Sequence, residues 1–212
     1  MYKLAGSDRL ATQRSLLTDQ KRMNSMTGQA RLHASASSVA TGSSNSENPG
    51  PLYALIDAAA QRIQTAGVVA AVKFTTGGTV DDPVREQQVI DRATAAAAAK
   101  GIDPEFVGMV FRDQIDATNA IEHFRFADWR LDPDAVPAAA PDLAQARTVI
   151  DRLDQILVDE IAAQWDSLHS QACSAYLDEA RNSVAHTRQL DGFARRALIH
   201  ATHSYCRTPH SR

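Results

Sequence analysis

IDPEFVGMVFRDQIDATNAIEHFRFADW, residues 102–129, repeats side chains of one kind at intervals of three and four. Val107, Phe111, Gln114/Ile115, Thr118 and Glu122 fall on one face of a helix with 3.6 residues per turn. Asp103 before Pro104 is a start signal: a side-chain acceptor for the first free N–H groups, then a proline where no donor is needed. The spacing predicts one long helix from about Pro104 to Trp129.

The pattern continues on both sides. DDPVREQQVIDRATAAAAAKG (81–101) opens with the same sign at Asp82 and Pro83, and Gly101 ends it. Its alanine run at 95–99 reads as a close helix contact. PGPLYALIDAAAQRIQTAG (49–67) puts Leu52, Leu55, Ile56, Ala59 and Ile63 on one face, with Gly67 near its far end. The helix is expected to resume through Lys73 until TTGG (75–78) breaks it. Beyond the long helix, the connector DPDAVPAAAPD leads to LAQARTVIDRLDQILVDEIAAQWDSL (143–168), where Leu143, Ile150, Leu153, Leu157, Ile161 and Leu168 keep helical spacing. Helices over about 171–188 and 192–206 complete the chain. No run alternates as a strand would. The expected fold is all-α, with about six helices.

With 212 residues, 44% of them hydrophobic, the chain can bury a sizeable core. Its net charge of −3 gives no global electrostatic case for nucleic acid. No apolar run approaches the length of a membrane span. Residues 1–49 are rich in Ser, Thr, Asn and Gly, with six Lys/Arg against three Asp/Glu, and read as a solvated extension or atypical leader. ASAS at 34–37 resembles a cleavage site, but no apolar core precedes it, so no recognisable signal peptide is read. A folded domain is expected over 50–208.

The informative residues are polar ones on apolar faces. Thr118 and Glu122 lie one turn apart on or beside the stripe of the long helix. Arg147 lies between Leu143 and Ile150, and Arg62 flanks Ala59 and Ile63. Each alone has a plain reading: arginines snorkel, helical threonines bond the i−4 carbonyl, and edge glutamates are exposed. Together, Arg62, Lys73, Arg85 and Arg147 place four cations near core faces, against Glu122, Asp82 and Glu86. Unpaired buried charge is costly, so the surplus implies an absent anionic partner. A small molecule with two carboxylates suits the arginine fork.

GxSxG, HExxH and Walker sequences are absent, and Glu122 and His123 are adjacent rather than spaced as di-iron ligands. No metal or cofactor is expected. Cys173 and Cys206 show no zinc spacing; two buried thiols and a disulfide both fit the count. Two intervening antiparallel helices would return the second cysteine near the first. A bridge would close a loop worth about 4 kcal/mol in the chain-entropy model.

The spacing Lys73, Asp82, Arg85, Glu86, with residues 102–129, PDLAQAR (141–147) and the two cysteines, resembles the all-α chorismate mutases of the AroQ class, in particular their secreted γ subclass. The resemblance covers about 52–206. It implies the pericyclic conversion of chorismate to prephenate, with no cofactor, within helices of one protomer of a homodimer, in a secreted or periplasmic protein. It also implies roles. Arg62, Arg85 and Arg147 contact the two carboxylates, with Thr118 in support. Lys73 and Glu122 bond the ether oxygen, Asp82 places Lys73 or Arg85, and Glu86 takes the ring hydroxyl. Lys73, Glu122 and Arg85 are the catalytic set, and the cysteine pair is a disulfide staple. The pattern departs at Val89, where a glutamine is usual; Gln88 points about 100° away. A helical protein that binds a dicarboxylate or a protein partner without turning it over is the alternative.

Overall fold

The computed structural model describes residues 49–137 and 142–207; the expected extension lies outside them apart from Pro49, as do 138–141 of the connector and Thr208. Among the described residues the chain forms α1 (Tyr53–Thr76), α2 (Pro83–Ala99), α3 (Pro104–Leu131), a 3₁₀ turn (Pro133–Ala135), α4 (Leu143–Ala163), α5 (Trp165–Leu168), α6 (Cys173–Thr187) and α7 (Gly192–Ala201). These residues contain no strand, and the all-α expectation holds.

The helix starts follow from side-chain caps. Asp82, Asp103, Asp142 and Asp191 each accept from backbone N–H groups in the following turn, and proline follows the first two. α1 begins differently: Leu52, with φ 66, is fully buried, and its burial holds a backbone conformation that a leucine would otherwise avoid. α1 ends at Gly77, φ 72, with the Gly78 N–H donating to the Lys73 carbonyl at 2.7 Å.

α1 is the central helix and packs against α3, α4, α6 and α7, while α2 lies against α3 and α4. It runs through Gly67 without a break. A lone helical glycine costs about 1 kcal/mol relative to alanine, and buried Ala66, Val69, Ala70 and Val72 on either side outweigh that. The close alanine packing is here too, at Ala58, Ala59 and Ala60; of the 95–99 run only Ala97 is fully buried. A smaller cluster, Ala70, Ala71, Val80, Phe126 and Trp129, fixes the end of α1 against α3, with Phe74 edge-on to both Phe126 and Trp129.

The last helix is shorter than expected. After Ala201 the Thr202 hydroxyl bonds the Leu198 carbonyl, and Arg181 reaches the Ile199 and Thr202 carbonyls, closing the helix end. The tail then returns so that Cys206 bonds Cys173, with Cα atoms 5.7 Å apart. Tyr205 is fully buried beside it, and its hydroxyl accepts from Gln114 of α3.

Candidate active site

α1 to α4 border a cleft of about 750 Å³, a volume that includes its opening to solvent. Its wall contains all eight residues singled out from the sequence: Arg62, Lys73, Asp82, Arg85, Glu86, Thr118, Glu122 and Arg147. The site lies among helices of a single chain.

At one end Lys73 meets Glu122. The aromatic cluster places Phe74 against Phe126, and their neighbours Lys73 and Glu122 (one turn before Phe126) are brought together. The Lys73 Nζ donates to the Val80 carbonyl at 2.7 Å and lies 2.9 Å from Glu122 Oε2. That second contact is close but off the hydrogen-bonding direction, so the buried Oε2 has no aligned partner among the described residues. Burial raises the Glu122 pKa above its ordinary value and outweighs the opposing pull of Lys73, His123 and Arg62. An acid held toward its neutral form beside a cation can donate its proton, while the lysine supplies charge.

Two of the three arginines are held from α4. Arg62 is buried; its Nε donates to Asp154 Oδ1 at 2.7 Å and its Nη1 to the Gln114 carbonyl at 3.2 Å. Arg85 is half-buried and donates to Asp151 Oδ1 at 3.0 Å, a carboxylate shared with Arg92. Asp151 and Asp154 are the anions that the charge count missed, so much of the inferred surplus of cations is already met within the protein. Arg147, expected on a buried face, is exposed at the cleft mouth. Its neighbours Leu143 and Ile150 are only half-buried and line the cleft, so this face of α4 borders the opening instead of the core. No carboxylate pairs with Arg147 among the described residues.

Asp82 acts through the backbone: its carboxylate caps α2 by accepting from the Arg85 N–H at 3.1 Å. Glu86 accepts from Asn119 Nδ2 at 2.9 Å and from Arg112 at 3.3 Å. Asn119 is a cleft residue that the sequence reading passed over, although it follows Thr118 directly. The Thr118 hydroxyl donates back to the Ile115 and Gln114 carbonyls at 2.8 and 3.1 Å. Val89, 6% exposed, makes that part of the wall apolar.

Residues 53–123 match the model of the family described as "Chorismate mutase type II". The chain is 53% identical over 174 residues to a secreted chorismate mutase of Mycolicibacterium smegmatis, covering 82% of this chain and 96% of that relative. A secreted chorismate mutase of Mycobacterium tuberculosis is 41% identical over 155 residues, 73% of this chain and 78% of that one. This chain belongs to the chorismate mutase type II family. A crystal structure of chorismate mutase from Burkholderia phymatum superposes with a TM-score of 0.71 at 29% identity, over 74% of this chain and 96% of that chain.

In this member of the chorismate mutase family the matched segment ends one residue after Glu122. It therefore takes in α1, α2 and most of α3, including seven of the eight cleft residues singled out from the sequence. Arg147 and the arginine-paired carboxylates Asp151 and Asp154 lie beyond it, on α4. The Cys173–Cys206 bridge, which the cysteine count left open, is formed.

Proposed function

We infer that the chain is a chorismate mutase that rearranges chorismate to prephenate by electrostatic stabilisation and conformer selection, without a covalent intermediate. The observation that carries this reading is the Lys73–Glu122 pair at the end of a cleft bordered by Arg62, Arg85 and Arg147. A [3,3] rearrangement moves electrons around a ring and leaves negative charge growing on the ether oxygen as the C–O bond breaks. No nucleophile is needed. The useful contributions are a fixed compact conformer and donors already aimed at that oxygen.

In this reading the Lys73 ammonium and the neutral Glu122 carboxyl donate to the ether oxygen. Arg62, Arg85 and Arg147 hold the two carboxylates, and Thr118 adds a hydroxyl once it turns from its own helix. Glu86 takes the ring hydroxyl, and Asp82 keeps Arg85 in place by capping α2. Residues 50–208 form the catalytic domain, 1–49 an extension, and the protein works as a homodimer. Export is supported by the disulfide and by relatives named as secreted.

The test is the loss of chorismate ultraviolet absorbance on adding purified protein, with Lys73→Ala as control. Turnover that falls about 10²–10³-fold in the variant is expected, the range for one preorganised donor. Absence of turnover above background in the wild type would overturn the reading and favour a dicarboxylate-binding protein.

A further inference from the structure

We propose that Asp154 is a positioning residue for this reaction, fixing the Arg62 guanidinium so that one nitrogen remains for the substrate. The proposal rests on the mutase reading for its chemistry, but its geometry stands apart. Arg62 projects from α1 and is 5% exposed. Asp154 crosses from α4 to take its Nε at 2.7 Å, and the Gln114 carbonyl of α3 takes its Nη1 at 3.2 Å. Three helices thus determine the plane of one guanidinium. Nη2 is the nitrogen left without a protein acceptor among the described residues, and Arg62 lines the cleft.

The placement of Asp154 on α4 supports the same role. Arg147, Asp151 and Asp154 follow at intervals of four and three, a single helical face. That face presents one cation to the cleft mouth and two carboxylates to arginines arriving from other helices. The two carboxylates are not equivalent. Asp151 is 46% exposed and divided between Arg85 and Arg92, so solvent and a second cation weaken its hold. Asp154 is 13% exposed, and its Oδ2 is buried with no donor among the described residues. A carboxylate desolvated for one contact is a poor route to stability, because apolar packing commonly does as well. Orientation of a buried arginine is a task that only a fixed acceptor performs.

The experiment combines Asp154→Ala and Asp154→Asn with Arg62→Ala, read by kcat and KM, by thermal melting, and by the Arg62 Nε–H resonance in ¹⁵N-labelled full-length protein. A loss of about 10²-fold in kcat/KM is expected for Asp154→Ala, the scale of a catalytic group displaced by about an ångström. Most of it should fall on KM, since the carboxylate is bound in the ground state as well. Asp154→Asn keeps an acceptor and should recover to within about tenfold. In the Arg62→Ala background, Asp154→Ala should cost nothing further.

If the costs multiply in the double variant, Asp154 acts elsewhere and the proposal fails. It also fails if folded Asp154→Ala keeps wild-type kcat/KM, or if the Arg62 Nε–H resonance does not move in the Asp154 variants. Should Asp154→Ala not fold, Asp154→Asn carries the same comparisons. A wild type without turnover would overturn the mutase reading alone, and the resonance would still decide whether Asp154 fixes Arg62.

Discussion

Replacing Glu122 by glutamine tests the central hypothesis of the chemistry, that the buried carboxyl works in its neutral form. It is motivated by the raised pKa, which burial imposes against the pull of Lys73 and Arg62, and by an Oε2 that lacks an aligned partner. Glutamine keeps the shape and an N–H donor but cannot ionise. Every pH unit above the Glu122 pKa removes a further factor of ten from the protonated fraction, equivalent to about 1.4 kcal/mol. Wild-type kcat/KM should therefore fall up to tenfold per unit above that pKa, while Glu122→Gln stays flat over the same range. At pH values where the wild type is protonated, the variant should lie within about tenfold of it. Glu122→Ala, which removes the donor, should lose about 10²–10³-fold.

Stability supplies a second readout. The folded state raises the pKa of this acid, so the folded protein binds more protons than the unfolded chain between the unfolded and folded values. Its contribution is therefore lost as pH rises from about 4.3, the ordinary glutamate value, through the raised one. Glu122→Gln should gain in melting temperature relative to wild type across that window and show no difference in trend below it. A stopped-flow pH series and matched thermal melts check both. A neutral Glu122 acid is ruled out if well-folded Glu122→Gln falls to the level of Glu122→Ala, or if wild type and variant share one pH profile.

Other perturbations follow from the same geometry. Arg85→Ala should raise KM more than it lowers kcat, because Arg85 is half-exposed and held by a shared carboxylate; steady-state kinetics at two salt concentrations would show it. Removing the Cys173–Cys206 bridge by a double alanine change should cost up to about 4 kcal/mol for a separation of 33 residues, read as a fall in denaturation midpoint. Val89→Gln buries an amide in an apolar wall and should destabilise the free protein by about 1–3 kcal/mol, with part of the loss recovered by a bound dicarboxylate in thermal-shift measurements.

The fold was legible because its signals are local. Asp82–Pro83 and Asp103–Pro104 announce helix starts through one side chain and one missing donor, and the apolar periodicity of residues 104–129 leaves little choice. The errors lie where tertiary packing overrides a local sign. Gly67 looks like an interruption before the helix resumes, yet the helix runs through it unbroken because Ala66, Val69 and Ala70 are buried. The candidate site was legible to the extent that Lys73, Thr118 and Glu122 sit on recognisable faces. Asp151 and Asp154 were not, since an aspartate on the polar side of a helix looks solvated until the arginine it meets arrives from another helix. For the same reason Arg147 was placed on a buried face: Leu143 and Ile150 look like core residues, but they border a cavity.

The charge distribution explains how such a site could hold its cations without a substrate. Four cations and three carboxylates line the cleft, a balance of +1 with Glu122 ionised and +2 with it neutral. Two further carboxylates, Asp151 and Asp154, stand behind Arg85 and Arg62. Arg62 and Arg85 therefore keep their orientation when the cleft is empty, and in the proposed reaction a substrate carboxylate adds to donors already aimed instead of collecting loose side chains. That lowers the ordering cost of binding and the reorganisation needed as charge develops. Lys73 differs from these two arginines, because its closest carboxylate is the one that burial drives toward neutrality. In the proposed mechanism, as Glu122 takes up its proton the lysine's charge loses its internal counterion and becomes available to the ether oxygen. On that proposal, a protonation that looks like a weakened ion pair strengthens the field at the one atom where charge must grow.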